Sequence, residues 1–206
     1  MPGTTANGIM RALTALLAGL AVLAAGCATQ EELRTAVNEV NKHFRTEYEA
    51  ILAEKGTRTF KVDRTEAYDA VRVSLARLGM TVDAQDPALG FVNVYAPAPR
   101  PLSLEEWNHA AEADLPRLRT IICPIVGAIC NFIKFEPEGL EVVISGTVLA
   151  VPDGTEISFT ARMREIAPPK SGIPRREYLP PTAVRMGLDK MWMEVEREFR
   201  TTYRKP

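Results

Sequence analysis

Residues 155–166 alternate between apolar and polar side chains. Ile157, Phe159, Ala161 and Met163 are apolar, and Ser158, Thr160, Arg162 and Arg164 between them are polar. Successive strand side chains point to opposite faces, so this segment requires a sheet that is buried on one face and wet on the other. A sheet covered on both sides has no use for such a pattern; an antiparallel sheet packed on one side does. Leu140 to Val151 precedes it, and Pro152-Asp153-Gly154 between the two is turn chemistry. The pair therefore reads as a long hairpin.

The elements before the hairpin follow the same logic. Thr59 to Val62 is a short strand, and Asp63-Arg64-Thr65-Glu66 is a capping-box pattern. Ala67, Tyr68, Val71, Leu75 and Leu78 line one face of the next helix, which stops at Gly79. Met80, Val82 and Ala84 alternate with Thr81 and Asp83, predicting a half-buried strand. A turn over 86–90 leads to a strand from Phe91 to Tyr95. Residues 96–137 read as an insertion, in which Ser103-Leu104-Glu105-Glu106 caps a helix that should stop before Pro116. Thr120 to Phe135 follows as the most apolar stretch after the N-terminal region. After the hairpin and a proline-and-basic connection, Val184, Leu188, Met191, Trp192, Val195 and Phe199 stripe a final helix from about Thr182 to Tyr203. The expected fold class is α+β: an antiparallel sheet in the order β-α-β-β-β-β-α with helices on one face.

Two further segments precede this domain. Thr29-Gln30-Glu31-Glu32 caps an amphipathic helix whose apolar residues are Leu33, Val37, Val40, Phe44 and Ile51, ending near Gly56. Such a stripe serves either packing on its own domain or a stalk that pairs with another chain. Upstream, Arg11 precedes an apolar run from Ala12 to Ala25, and Ala24, Ala25 and Gly26 stand before Cys27. This is the layout of an export signal, and the run falls short of the roughly 20 apolar residues of a membrane span. Leu23-Ala24-Ala25-Gly26-Cys27 resembles the lipobox of bacterial lipoproteins, substrates of the lipoprotein signal peptidase, with Ala24 where that family more often has Leu. The resemblance implies a diacylglyceryl thioether and an N-acyl chain on Cys27. Ala28 in place of Asp implies the outer membrane, on its periplasmic side, with another envelope membrane as the alternative. The chain then divides into a signal peptide (1–26), a lipid-anchored helix or stalk (27–57) and an α+β domain (58–206). In element order the domain is similar in outline to helix-grip domains of lipoproteins that accompany the outer-membrane barrel-assembly machinery.

Charge limits the partners. The 206 residues carry a net charge of −1, and Arg11 is the one charged residue before Cys27, so the processed chain is slightly more acidic. A nucleic-acid binder carries a basic face, and none is written here. Of 3 cysteines, Cys123 and Cys130 remain beside Cys27. An exported compartment permits a bridge between them; two reduced core cysteines fit the spacing as well.

No catalytic or metal-ligating set is expected. Glu106, His109 and Glu112 share a helix face, but a carboxylate-bridged metal centre needs a second such pair and further acids. His43 stands alone beside Phe44, Ser145-Gly146 lacks a nucleophile elbow, and no glycine-rich phosphate loop occurs. Arg162 and Arg164, with Arg175 and Arg176 nearby in sequence, offer a weak anion site. The insertion is the more informative patch. Ile125, Val126, Ala128 and Ile129, tied off by Cys123 and Cys130 and flanked by Arg117, Arg119 and Lys134, are candidate contacts to a membrane or a partner. The other arrangement has the same stretch packed as an extra core layer. The expectation is a non-enzymatic, cofactor-free binding or accessory subunit, held to a membrane by its lipid and paired with another envelope protein. The alternatives are a carrier or sensor of a small apolar ligand, held between the sheet and the last helix near Trp192, Met191 and Phe159, and a metal-dependent enzyme centred on His109.

Overall fold

The computed structural model describes residues 28–167 and 177–203. It begins with helix α1 (Gln30–Lys55), strand β1 (Thr57–Phe60), helix α2 (Arg64–Arg77), and strands β2 (Thr81–Asp86) and β3 (Phe91–Pro97). Helix α3 (Leu104–Val126) follows and tightens into a 3-10 turn (Gly127–Phe132). Strands β4 (Leu140–Val151) and β5 (Gly154–Glu165) come next, then helix α4 (Pro181–Glu198) and a π turn (Phe199–Tyr203). The five strands form one antiparallel sheet in the order β1-β5-β4-β3-β2. The α+β class and the β-α-β-β-β-β-α order after an amphipathic helix are as expected.

The alternation in β5 is the covered face. Val92, Gly146 and Phe159 form one cross-strand row, and Val94, Ile144 and Ala161 form the next, all buried. Gly146 has a packing reason: a Cβ there would lie 3.1 Å from Val92 and 3.4 Å from Val71 of α2, so its absence lets α2 settle on the sheet. Trp192 of α4 fills the space beside it, 4.7 Å from the Phe159 ring, with its Nε1 donating to Lys55 O (2.7 Å). The opposite face carries Asn93, Tyr95, Ser145, Thr160 and Arg162, half-buried or exposed. In the hairpin Val151 pairs with Gly154 across Pro152-Asp153.

The sheet's two edges are treated differently. β1 pairs with β5 only over 155–158. Beyond it, the N–H groups of Phe159, Ala161 and Met163 donate to Gly56 O (2.8 Å), Tyr48 Oη (3.2 Å) and Glu177 O (3.3 Å). Helix α1 and its C-cap thus supply two acceptors where the short strand stops, and the segment before α4 supplies the third, which closes an edge that would otherwise invite pairing. The other edge, β2, is exposed along all of its length except Asp86. The alternation from Met80 predicts a half-buried strand there; in fact Met80 alone is buried, just before the strand starts. The register slips between Val82 and Ala84, and Val82 is 38% exposed. At the last strand of the sheet the covering helices do not reach across it.

Other boundaries also shift. β1 is Thr57–Phe60 instead of Thr59–Val62, and α4 is regular only to Glu198. The larger correction is α3, which passes through Pro116 and continues through Pro124 to Val126. Proline removes the hydrogen bond to the carbonyl four residues back. The carbonyls so freed belong to Glu112 and Thr120, and residues 112, 116, 120 and 124 are all exposed. Both prolines lie on one solvent stripe, where water can take the place of the missing N–H.

Candidate functional site

α1 and α3 pack against each other, which joins the two segments that stood apart in the sequence. Glu106 at the start of α3 pairs with Lys190 (2.6 Å), and Asp114 lies at Thr182, so α3 runs antiparallel to α4. Lys55 at the end of α1 pairs with Asp189 (2.9 Å) while Tyr48 meets Tyr178 (5.5 Å between rings), so α1 runs along the direction of α4. α1 and α3 are therefore antiparallel, tied further by the Arg117–Glu47 ion pair and by Phe44 against Phe135 (5.7 Å). The buried stripes that meet are Ala36, Val40, Phe44, Tyr48 and Ile51 on α1, and Ala110, Leu118, Ile122 and Val126 on α3. The last two turns of α3 and the first turns of α1 share one end of the molecule. The β2–β3 turn sits at the other, where Arg64 donates to Pro87 O, Ala88 O and Val148 O.

At the α1–α3 end Cys123 and Cys130 are bridged, with Cα atoms 5.1 Å apart. The bridge spans the point where Gly127 (φ 62°) turns the chain out of α3. Of the four candidate contact residues the structure separates two kinds. Val126 is 6% exposed and belongs to the hydrophobic core, which removes it from the contact set. Ile125 and Ile129 are half-buried against the core, and Ala128 is exposed. The stretch is thus divided: Ile122, Val126, Cys130 and Phe135 are buried, while Thr120, Pro124, Gly127, Ala128, Asn131, Phe132 and Lys134 are exposed. The residue the sequence reading passed over is Phe132, 80% exposed; it was one apolar residue among many in a run with no readable period. Among the flanking cations, Arg117 is engaged by Glu47, Arg119 Nη2 donates to Asn131 O (3.4 Å), and Lys134 is exposed.

The remaining candidates disperse. Cys27, Arg175 and Arg176 lie outside the described residues. Arg164 pairs with Glu141 and sits 5.8 Å from the Tyr95 ring, while Arg162 is exposed. Glu106 is a structural residue: its carboxylate accepts from Ser103 N (2.5 Å) and from Lys190, and the Lys190 hydrogen bond, with that of Ser103, holds its pKa below the usual range. His109 and Glu112 are exposed neighbours on α3, and His43 is exposed on α1. Among the described residues no group of three or more His, Cys, Asp or Glu is placed to hold a metal ion. An open groove of about 430 Å³ runs between α3 and 134–138, lined by Asn108, Glu112, Lys134 and Glu136 among others. No protein-family model matches this chain, and a search of the curated proteins gives no match either.

Proposed function

We propose that this chain is a lipid-anchored envelope protein, held through a diacylglyceryl thioether and an N-acyl chain on Cys27 at the periplasmic face of the outer membrane. There it acts as a non-enzymatic binding or scaffold subunit of an envelope assembly. The observation that carries this reading is Leu23-Ala24-Ala25-Gly26-Cys27 at the close of the apolar run after Arg11. Ala28, the residue next to Cys27, packs against the core, and Thr29 and Glu32 cap α1 reciprocally, so a lipid on Cys27 would sit close to the folded domain. A bridged cysteine pair suits an exported compartment. Each buried CH₂ of an acyl chain contributes about 0.8 kcal/mol, and two or more chains hold stably where one is marginal.

The scaffold role is favoured over the carrier by how the covered face is filled. A carrier needs an enclosed pocket of roughly 300 Å³ or more, and Trp192 stands against Phe159 where that pocket would lie. The sheet's other face leaves Thr160 and Arg162 exposed and Tyr95 and Ser145 half-exposed to a partner. Cys27→Ser should move the protein from the membrane to the soluble fraction; retention on the membrane would refute the anchor. Crosslinking in intact cells followed by mass spectrometry tests the role. Reproducible capture of one envelope protein supports the scaffold, and capture of lipid or metabolite alone supports the carrier.

A further inference from the structure

We propose that the α1–α3 end of the molecule is a membrane-docking tip, seated with Phe132 in the same lipid surface that the Cys27 anchor holds; this rests on the anchored reading proposed above. Ala28 is the first described residue and packs against the core. Consecutive Cα atoms are about 3.8 Å apart, so a lipid on Cys27 is confined to this end. The antiparallel course of α1 and α3 brings the bridged turn to the same end. There Pro124, Gly127 and Ala128 are exposed, and Phe132 is 80% exposed.

The chemistry of the end fits a bilayer surface. Interfacial segments bury an apolar face about 5–10 Å into the headgroup boundary and place cations at the phosphates. Lys134 is exposed two residues from Phe132, and Glu31 and Arg34 in the first turns of α1 offset each other. Glu32 is already held by Thr29. A small apolar tip adds little to an anchor of several acyl chains. What it adds is orientation: α1 stands upright on the surface. At 1.5 Å per residue, its 26 residues hold the β2–β3 turn roughly 40 Å away.

The test uses the full processed protein, reconstituted in vesicles of phosphatidylethanolamine with a minority of phosphatidylglycerol, with and without bromine on the acyl chains. Phe132→Trp reports the tip, and Leu89→Trp reports the far turn, where Leu89 is 71% exposed. Trp107 and Trp192 are each 1% exposed and give a constant background. The added emission from Phe132→Trp should shift to the blue and fall roughly twofold with brominated lipid, as for a ring seated at the headgroup boundary, while that from Leu89→Trp stays unchanged. Equal, unquenched emission from both variants overturns the tip. The mass of the N-terminal peptide from the same sample separates the two ideas. A lipidated Cys27 with no quenching removes the tip and leaves the anchor. An unmodified terminus removes the anchor and, with it, the tip that rests on it.

Discussion

Replacing Tyr48 with phenylalanine isolates the contribution of α1 to the sheet. The ring of Tyr48 is 5% exposed and its hydroxyl oxygen accepts from the N–H of Ala161 at 3.2 Å. Tyr48→Phe keeps the ring and opens no cavity, so the loss is confined to the hydroxyl, which serves the buried Ala161 N–H and the exposed Arg162 side chain. A buried donor left without a partner costs about 1–3 kcal/mol, more than the ~1 kcal/mol that an ordinary hydrogen bond contributes net. That is a noticeable share of the roughly 5–15 kcal/mol available to a domain, and each kcal/mol lowers Tm by about 2–4 °C at this size. Urea unfolding followed by tryptophan emission reads it, since Trp107 and Trp192 both leave the core on unfolding. The m value should stay constant while the midpoint falls. Alkaline pH supplies a second reading. Burial pushes the Tyr48 phenol above its ordinary value of 10.0, so the folded state holds this proton more tightly than the unfolded chain. That contribution is intact below pH 10.0 and is lost as pH rises through the folded pKa. The gap between wild type and Tyr48→Phe should therefore narrow above that pH. An unchanged midpoint at neutral pH would show that water already serves the Ala161 N–H and that α1 does not seal the edge.

Two other perturbations address the tip and the helix junction. Cys123 and Cys130 are 7 positions apart, and chain-entropy reasoning for so short a loop gives about 2.5 kcal/mol; the double Cys→Ser variant should lose about that much in urea, with wild type falling to the same midpoint in reductant. Asp114 is 7% exposed and accepts from Thr182 N (2.9 Å) and Thr182 Oγ1 (2.7 Å) at the first turn of α4, whose own N-cap, Pro180, has no side chain to offer. Asp114→Ala should cost about 1–3 kcal/mol, a cap loss plus an unsatisfied buried group; a change below about 0.5 kcal/mol would show that α4 needs no cap from α3.

The sheet was legible because its code is local. Alternation in 157–163 and the Pro152-Asp153-Gly154 turn are contained within their own segments, and the resulting hairpin is in register along its whole length. Capping boxes at Thr29 and Ser103 were legible for the same reason. What the sequence hid was relational. β2 has the alternation of a covered strand but lies at the edge, and no residue within it records its place in the strand order. Pro116 reads as a stop because its cost is a lost hydrogen bond; that cost vanishes only when the proline faces solvent. The pairing of α1 with α3 was invisible, since two apolar stripes in separate parts of the sequence carry no mark of mutual fit, and Asp114 gave no sign that it caps a helix starting at Pro181.

That pairing also decides how α3 relates to a membrane. Among the described residues Leu104–Phe132 is the helical stretch long and apolar enough to cross one. A crossing needs about 20 residues, and only seven helical residues follow Arg119 before Gly127 breaks the geometry. A span would have to take in Arg119 and Arg117, and then Asp114, at about 2.5–3.5 kcal/mol each near the bilayer centre, against about 0.3–0.6 kcal/mol recovered per Leu, Ile, Val or Phe. Packed on α1 and α4, two of these charges are already matched, Arg117 by Glu47 and Asp114 by Thr182. One side of the stretch is thus a helix seam, with Trp107, Ala110, Leu118, Ile122 and Val126 buried, and the exposed apolar surface beyond Arg119, the bridged turn with Phe132, is the part that the proposed tip would give to lipid.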